Sequence, residues 1–96
     1  MLKKLLRDSG NKLNTGFVGT PLLCNVLTDN GMTDAAYRLL LNEEYPGWLR
    51  EVKLGATTIW ERWNSILPDG SISGTGMNSL NHYAYGSIVD WMYRNL

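Results

Sequence analysis

The sequence predicts a mainly α fold, in which helical hairpins surround a long irregular loop carrying a short extended segment. Three observations predict it. Apolar residues recur at helical spacing in four stretches. Between positions 47 and 76 that period is lost. Within this gap Thr57-Thr58-Ile59-Trp60, β-branched and aromatic, reads as extended.

The first stretch, Met1 to Asp8, places Leu2, Leu5 and Leu6 on one helical face and Lys3, Lys4 and Arg7 on the other, and Gly10 stops it. Thr15-Gly16-Phe17-Val18-Gly19 is a loop. Thr20 then serves as N-cap and Pro21 as first helical residue of a second helix, whose apolar stripe is Leu22, Leu23, Val26 and Leu27 and whose end is Asn30-Gly31. A third helix starts near Thr33 and Asp34, runs through Ala36, Tyr37, Leu40 and Leu41, and ends by Tyr45-Pro46, because the residue before proline is disfavoured in the α region. The short connection packs helices two and three antiparallel. Pro68-Asp69-Gly70 is a turn, and residues 71–76 are loop. The last helix is predicted from about Ser79 to Arg94, with Leu80, Tyr83, Ala84, Ile88, Trp91 and Met92 on its apolar face. A loop of thirty residues between helices is uncommon in a compact domain unless it is functional.

Ninety-six residues and 10.8 kDa allow one domain at most. With 44% hydrophobic and 19% charged residues the chain reads as globular. Nine Lys+Arg balance nine Asp+Glu, which argues against a nucleic-acid binder. The single Cys24 excludes an internal disulfide framework and a Cys-rich zinc site. No apolar run approaches the ~20 residues that span a bilayer, so no membrane partner is expected. Met1-Leu2-Lys3-Lys4 leads into a charged segment and not a signal peptide, so the cytoplasm is the default location.

Four Trp, five Tyr and one Phe in so short a chain suit either the lining of a site or an aromatic core. Glu61 lies between Trp60 and Trp63. A carboxylate flanked by indoles is partly desolvated and suits acid–base work; the competing reading is a surface pair with Arg62, the indoles being packing. His82, the one histidine, near the start of a helix, is either a pocket residue or a packed structural one. No second His or Cys pair accompanies it, so no metal is expected. Cys24, mid-helix among apolar residues, does not suit a nucleophile. Gly16-Phe17-Val18-Gly19-Thr20 precedes a helix N-terminus but lacks the lysine and the preceding strand of a phosphate loop.

Taken in order, Asn14-Thr15-Gly16-Phe17-Val18-Gly19-Thr20, then Gly55-Ala56-Thr57-Thr58-Ile59-Trp60-Glu61-Arg62-Trp63, then Met77-Asn78-Ser79-Leu80-Asn81-His82-Tyr83-Ala84-Tyr85-Gly86, resemble the C-terminal part of the catalytic domain of bacterial α-L-rhamnosidases, the family-78 glycoside hydrolases. The resemblance covers nearly the whole chain. It implies that residues 1–96 are part of an (α/α)6 barrel several times longer, a fragment holding its last helices. It implies an inverting hydrolase of terminal α-L-rhamnosides, whose two carboxyl groups lie roughly 6.5–9.5 Å apart across a water. On the family pattern Glu61 is the general base, His82 contacts the sugar, and Trp60 and Trp63 line the subsite; no cofactor is implied. Nothing before Asn14 matches the family's acidic motif, and Glu43 and Glu44 do not replace it, so the chain alone is expected to be inactive. A non-catalytic carbohydrate-binding or structural module on the same fold, or a different (α/α)6 glycosidase, are the alternatives. Helices built for a larger barrel leave faces such as Leu22-Leu23-Val26 or Ile88-Trp91-Met92 uncovered, which predicts a homo-oligomer.

Overall fold

The computed structural model describes residues 2–8, 10, 12–13, 15–74 and 76–96. Its helices are α1 (Leu2–Asp8), α2 (Thr20–Asp29), α3 (Thr33–Leu41), α4 (Trp48–Lys53) and α5 (Ile88–Asn95), and a 3₁₀ turn, Ala84–Ser87, leads into α5. Among the described residues the β structure is one isolated antiparallel bridge, Ile66 with Ile72, flanking the expected Pro68-Asp69-Gly70 turn.

α2 begins at Thr20 as expected, but Thr20 does not cap it. Gly19 occupies the N-cap position with helical dihedrals, and the Thr20 hydroxyl instead hydrogen-bonds that of Thr15 at 2.8 Å. The far end closes with a two-bond lock. Gly31 takes φ +76°, its N–H donates to the Thr28 carbonyl at 3.2 Å, and Met32 N–H donates to the Leu27 carbonyl at 2.7 Å. Only glycine adopts this left-handed position without a Cβ penalty, and the lock turns the chain so that α3 folds back on α2.

The buried centre comprises Leu27, Ala36, Leu39 and Trp91, drawn from α2, α3 and α5, and α2 packs against both other helices. Several expected faces differ; on α3 the buried residues are Ala36 and Leu39, and Leu41 is 60% exposed. On α2 the chain buries Thr20, Cys24 and Leu27, one turn apart, and leaves Leu22 60% and Val26 42% exposed. On α5, Ile88 and Trp91 are buried, not uncovered as expected, and the exposed apolar residues are Val89 and Tyr93. Trp91 Nε1 donates to Thr28 Oγ1 at 2.8 Å, so the deepest indole keeps its hydrogen bond.

The irregular gap is shorter than expected, because α4 occupies its start. The last helix is shorter too. Residues 79–83 are not helical: His82 N–H donates to the Ile59 carbonyl at 2.8 Å and Glu61 N–H to the Ser79 carbonyl at 2.9 Å. Pairing across the fold overrides the local helical period. The Ile59–Glu61 stretch is thus joined to residues 79–82 without a strand ladder, and Leu80 and Tyr83 lie on the surface, not on an apolar face.

Candidate active site

The site is assembled by α4. Gly47 enters this helix in extended backbone, φ 176°, so closely packed that an added Cβ would sit 3.0 Å from Asn42 Nδ2 and 3.1 Å from the Asn42 and Glu44 carbonyl oxygens. Trp48 Nε1 then donates to the Tyr85 carbonyl at 2.9 Å. Arg50, 9% exposed, donates from its two terminal nitrogens to the carbonyls of Trp63 and Ile66, both at 2.9 Å. Glu51, 2% exposed, sets its carboxyl beside the Trp60 N–H. Three side chains of one short helix therefore hold the segments on which Trp60, Glu61, Trp63 and Tyr85 stand.

Glu61 lies half-buried in an open groove of about 490 Å³ lined by Gly16, Phe17, Tyr45, Glu61, Arg62, Trp63, Asn64, Met77 and Tyr85. Its Oε2 accepts from the Ser79 N–H at 2.7 Å. The expected alternative, a surface pair with Arg62, does not form: Arg62 Nε donates to the Met77 carbonyl at 2.9 Å and its terminal nitrogen to that of Gly76. Arg62 fixes the groove's far lip and leaves the carboxylate to the groove.

Trp63 is a groove wall. Its ring stacks on Tyr85 with centroids 3.9 Å apart, meets Trp48 edge-on at 5.2 Å, and donates from Nε1 to the Thr15 carbonyl at 3.0 Å. Burial pushes the Tyr85 phenol above its ordinary value, with the nearby Glu51 charge adding to the effect. Trp60, by contrast, is 4% exposed and outside the groove lining, so the two indoles do not flank the carboxylate as a pair.

His82 lines a neighbouring cavity of about 570 Å³ with Phe17, Pro21, Tyr83, Ala84, Gly86 and Ser87. Its ring is stacked between Phe17, at 5.0 Å, and Tyr83, at 5.1 Å, each tilted by 11°. Its Nδ1 accepts from the Ala84 N–H at 3.3 Å, which leaves Nε2 as the donor of the neutral ring. Phe17 is common to both cavities and also meets Tyr85 edge-on at 5.4 Å. Sequence reasoning missed Phe17 and Tyr85 as site residues; their signal was that each lies within a motif whose other members were singled out.

The remaining candidates fall away on geometry. Cys24 is 2% exposed and burial pushes its thiol up to about 11. Glu44 pairs with Lys12 at 2.6 Å and Glu43 with Lys53 at 3.0 Å, both at the surface. Among the described residues no three His, Cys, Asp or Glu side chains converge to hold a metal ion, and no helix is long and apolar enough to cross a membrane.

Comparison with known proteins places this arrangement. The family model of the bacterial α-L-rhamnosidase six-hairpin glycosidase domain matches residues 1–96. An α-L-rhamnosidase of Streptomyces avermitilis is 57% identical over 84 residues, covering 88% of this chain and 8% of the relative; one from Formosa agariphila is 50% identical over 95 residues, covering 99% and 10%. The crystal structure of the S. avermitilis α-L-rhamnosidase complexed with L-rhamnose superposes with a TM-score of 0.94 at 53% identity, over 98% of this chain and 9% of that one. That of the native Aspergillus terreus enzyme gives 0.90 at 44%, over 95% and 10%. The chain thus spans about a tenth of the length of these relatives, and its helices correspond to part of an (α/α)6 barrel. Matched along its whole length, the chain belongs to the six-hairpin glycosidase domain of the bacterial α-L-rhamnosidases, glycoside hydrolase family 78.

Proposed function

We propose that this chain contributes the general-base half of the active site of an inverting α-L-rhamnosidase acting on terminal α-L-rhamnosides. The observation that carries the reading is the placement of Glu61: a carboxylate in an aromatic-walled groove, held by one backbone N–H at Oε2 and free of an arginine partner. A carboxylate has about four acceptor positions, so the Ser79 bond orients it while leaving lone pairs for a water proton. The S. avermitilis relative, whose structure holds L-rhamnose, supports rhamnose as the sugar. Trp63, braced by its stack on Tyr85, adds an apolar part of the groove wall for the sugar's C–H bonds and methyl group, and His82, in the adjoining cavity that shares Phe17, offers a donor to a hydroxyl. Trp60 acts from behind the groove.

In this reading the general acid comes from outside these 96 residues, and the chain alone does not turn over rhamnosides. Leu22 and Val26 on α2 with Val89 and Tyr93 on α5 are the apolar surface through which it self-associates. The test is an assay on an aryl α-L-rhamnoside. The chain alone should release no phenol, and the complete barrel should release β-L-rhamnose first, seen by proton NMR. Turnover by the chain alone overturns the missing acid, and a first product of α configuration overturns Glu61 as the base for water.

A further inference from the structure

The stretch from Ile59 to Glu61 has two hydrogen-bonding edges, as any extended backbone does. On one edge the Ile59 carbonyl and Glu61 N–H bond to His82 and Ser79. The other edge presents the N–H of Trp60, a residue only 4% exposed, and a buried N–H needs a partner. The group set beside it is the carboxyl of Glu51, reaching across from α4. Glu51 is itself 2% exposed, and its Oε1 is buried with no hydrogen-bond partner among the described residues. A carboxyl so placed is costly, and packing alone does not account for it, because an apolar side chain of the same length fills the space without an orphaned oxygen.

We propose that Glu51 is a positioning residue for the Glu61 base, standing where a neighbouring strand would otherwise be and fixing the Trp60–Glu61 peptide from behind while Ser79 fixes Glu61 from the front. The proposal rests on the reading of Glu61 as the base. The charged and titratable groups facing Glu51 are Arg50 on the same helix, which favours its ionised form, and Tyr85 of the 3₁₀ turn, which feels its charge; Tyr45 lies beyond, near Tyr85. Burial outweighs Arg50 and the Trp60 bond and pushes the carboxyl up to about 7.

The test is a pH titration of the ¹⁵N-labelled chain by NMR with amide exchange. In the wild type the Trp60 amide shift should move with a midpoint near 7. Glu51→Gln should abolish that step yet keep the Trp60, Glu61 and His82 amides protected, because the amide oxygen still accepts. Glu51→Leu should speed their exchange by at least about tenfold, the mark of a lost protecting bond, and move the Ser79 amide, while amides of α3 stay as they were. A Trp60 amide that does not titrate, or a folded Glu51→Leu chain with unchanged exchange, overturns the proposal. Should Glu51→Leu not fold, the wild-type and Glu51→Gln titrations decide it. Failure of the base reading shows differently, as a Glu61→Gln enzyme of normal rate with the Trp60 titration intact.

Discussion

Glu61 and Ser79 hold each other at two points: the Glu61 N–H donates to the Ser79 carbonyl at 2.9 Å, and the Ser79 N–H donates to Glu61 Oε2 at 2.7 Å. The reciprocal pair fixes both the backbone and the carboxylate of the residue proposed to activate water. In the complete rhamnosidase that carries this segment, Glu61→Gln keeps the shape and removes the basicity. Its kcat should fall by about 10²–10⁴-fold with little change in KM. Steady-state kinetics on an aryl rhamnoside check this, and a rate within twofold of wild type removes Glu61 from the mechanism.

Glu51 gives stability a pH dependence of unusual sign. Its carboxyl is raised in the folded chain from 4.5 to about 7, chiefly by burial, so the folded state binds the proton more tightly than the unfolded state. Stability should therefore be greatest below about pH 4.5 as far as this group is concerned, decline as pH rises through the interval to about 7, and stay low above it. The full effect is roughly 3 kcal/mol. Glu44 and Asp69, lowered by their bonds to Lys12 and Ser71, act in the opposite sense and at more acid pH. Urea unfolding at pH 5.5 and pH 8 should separate wild type, which weakens, from Glu51→Gln, which does not.

Gly47→Ala tests how tightly α4 is seated. The dihedral is one any residue adopts, so the cost is purely steric: the new methyl meets two backbone oxygens at 3.1 Å and the Asn42 amide at 3.0 Å. Backbone atoms yield little, and a loss of about 1–3 kcal/mol is expected from denaturant midpoints. A neutral substitution would mean that α4 can shift without consequence.

Cys24 should resist alkylation. With its thiol pushed up from 9.0 to about 11, native labelling by iodoacetamide at pH 8 should run roughly two orders of magnitude slower than in urea, before burial slows it further. Equal rates would place Cys24 at the surface.

How much of this was legible in the sequence depends on which residues a helix buries. α2 and α3 were readable because Thr20-Pro21 and Asn30-Gly31 punctuate them and Leu27 and Ala36 face inward as expected, although Leu39, not Leu41, completes the buried face of α3. α4 was not, because its buried face is Trp48, Arg50 and Glu51: an interior made of two charges carries no apolar period. The last helix was drawn too long because residues 79–83 have a helix-like pattern but spend their hydrogen bonds on Ile59 and Glu61. Glu61, Trp63 and His82 were named from motifs, and the structure sets Glu61 and Trp63 in one groove with His82 in the adjoining cavity. Trp60 is buried outside the groove lining, beside Glu51, a contact no local pattern announces.

The Arg50 guanidinium spans two carbonyls three residues apart, Trp63 and Ile66, and lies 5.3 Å from the Tyr45 ring centre. A planar fork of fixed donors holds both oxygens at a set spacing, which a freely rotating ammonium does not enforce. The turn it braces has little regular scaffolding of its own, so the seat of Trp63 is borrowed from a cation thirteen positions earlier: a change at Arg50 is felt at the groove wall without touching it.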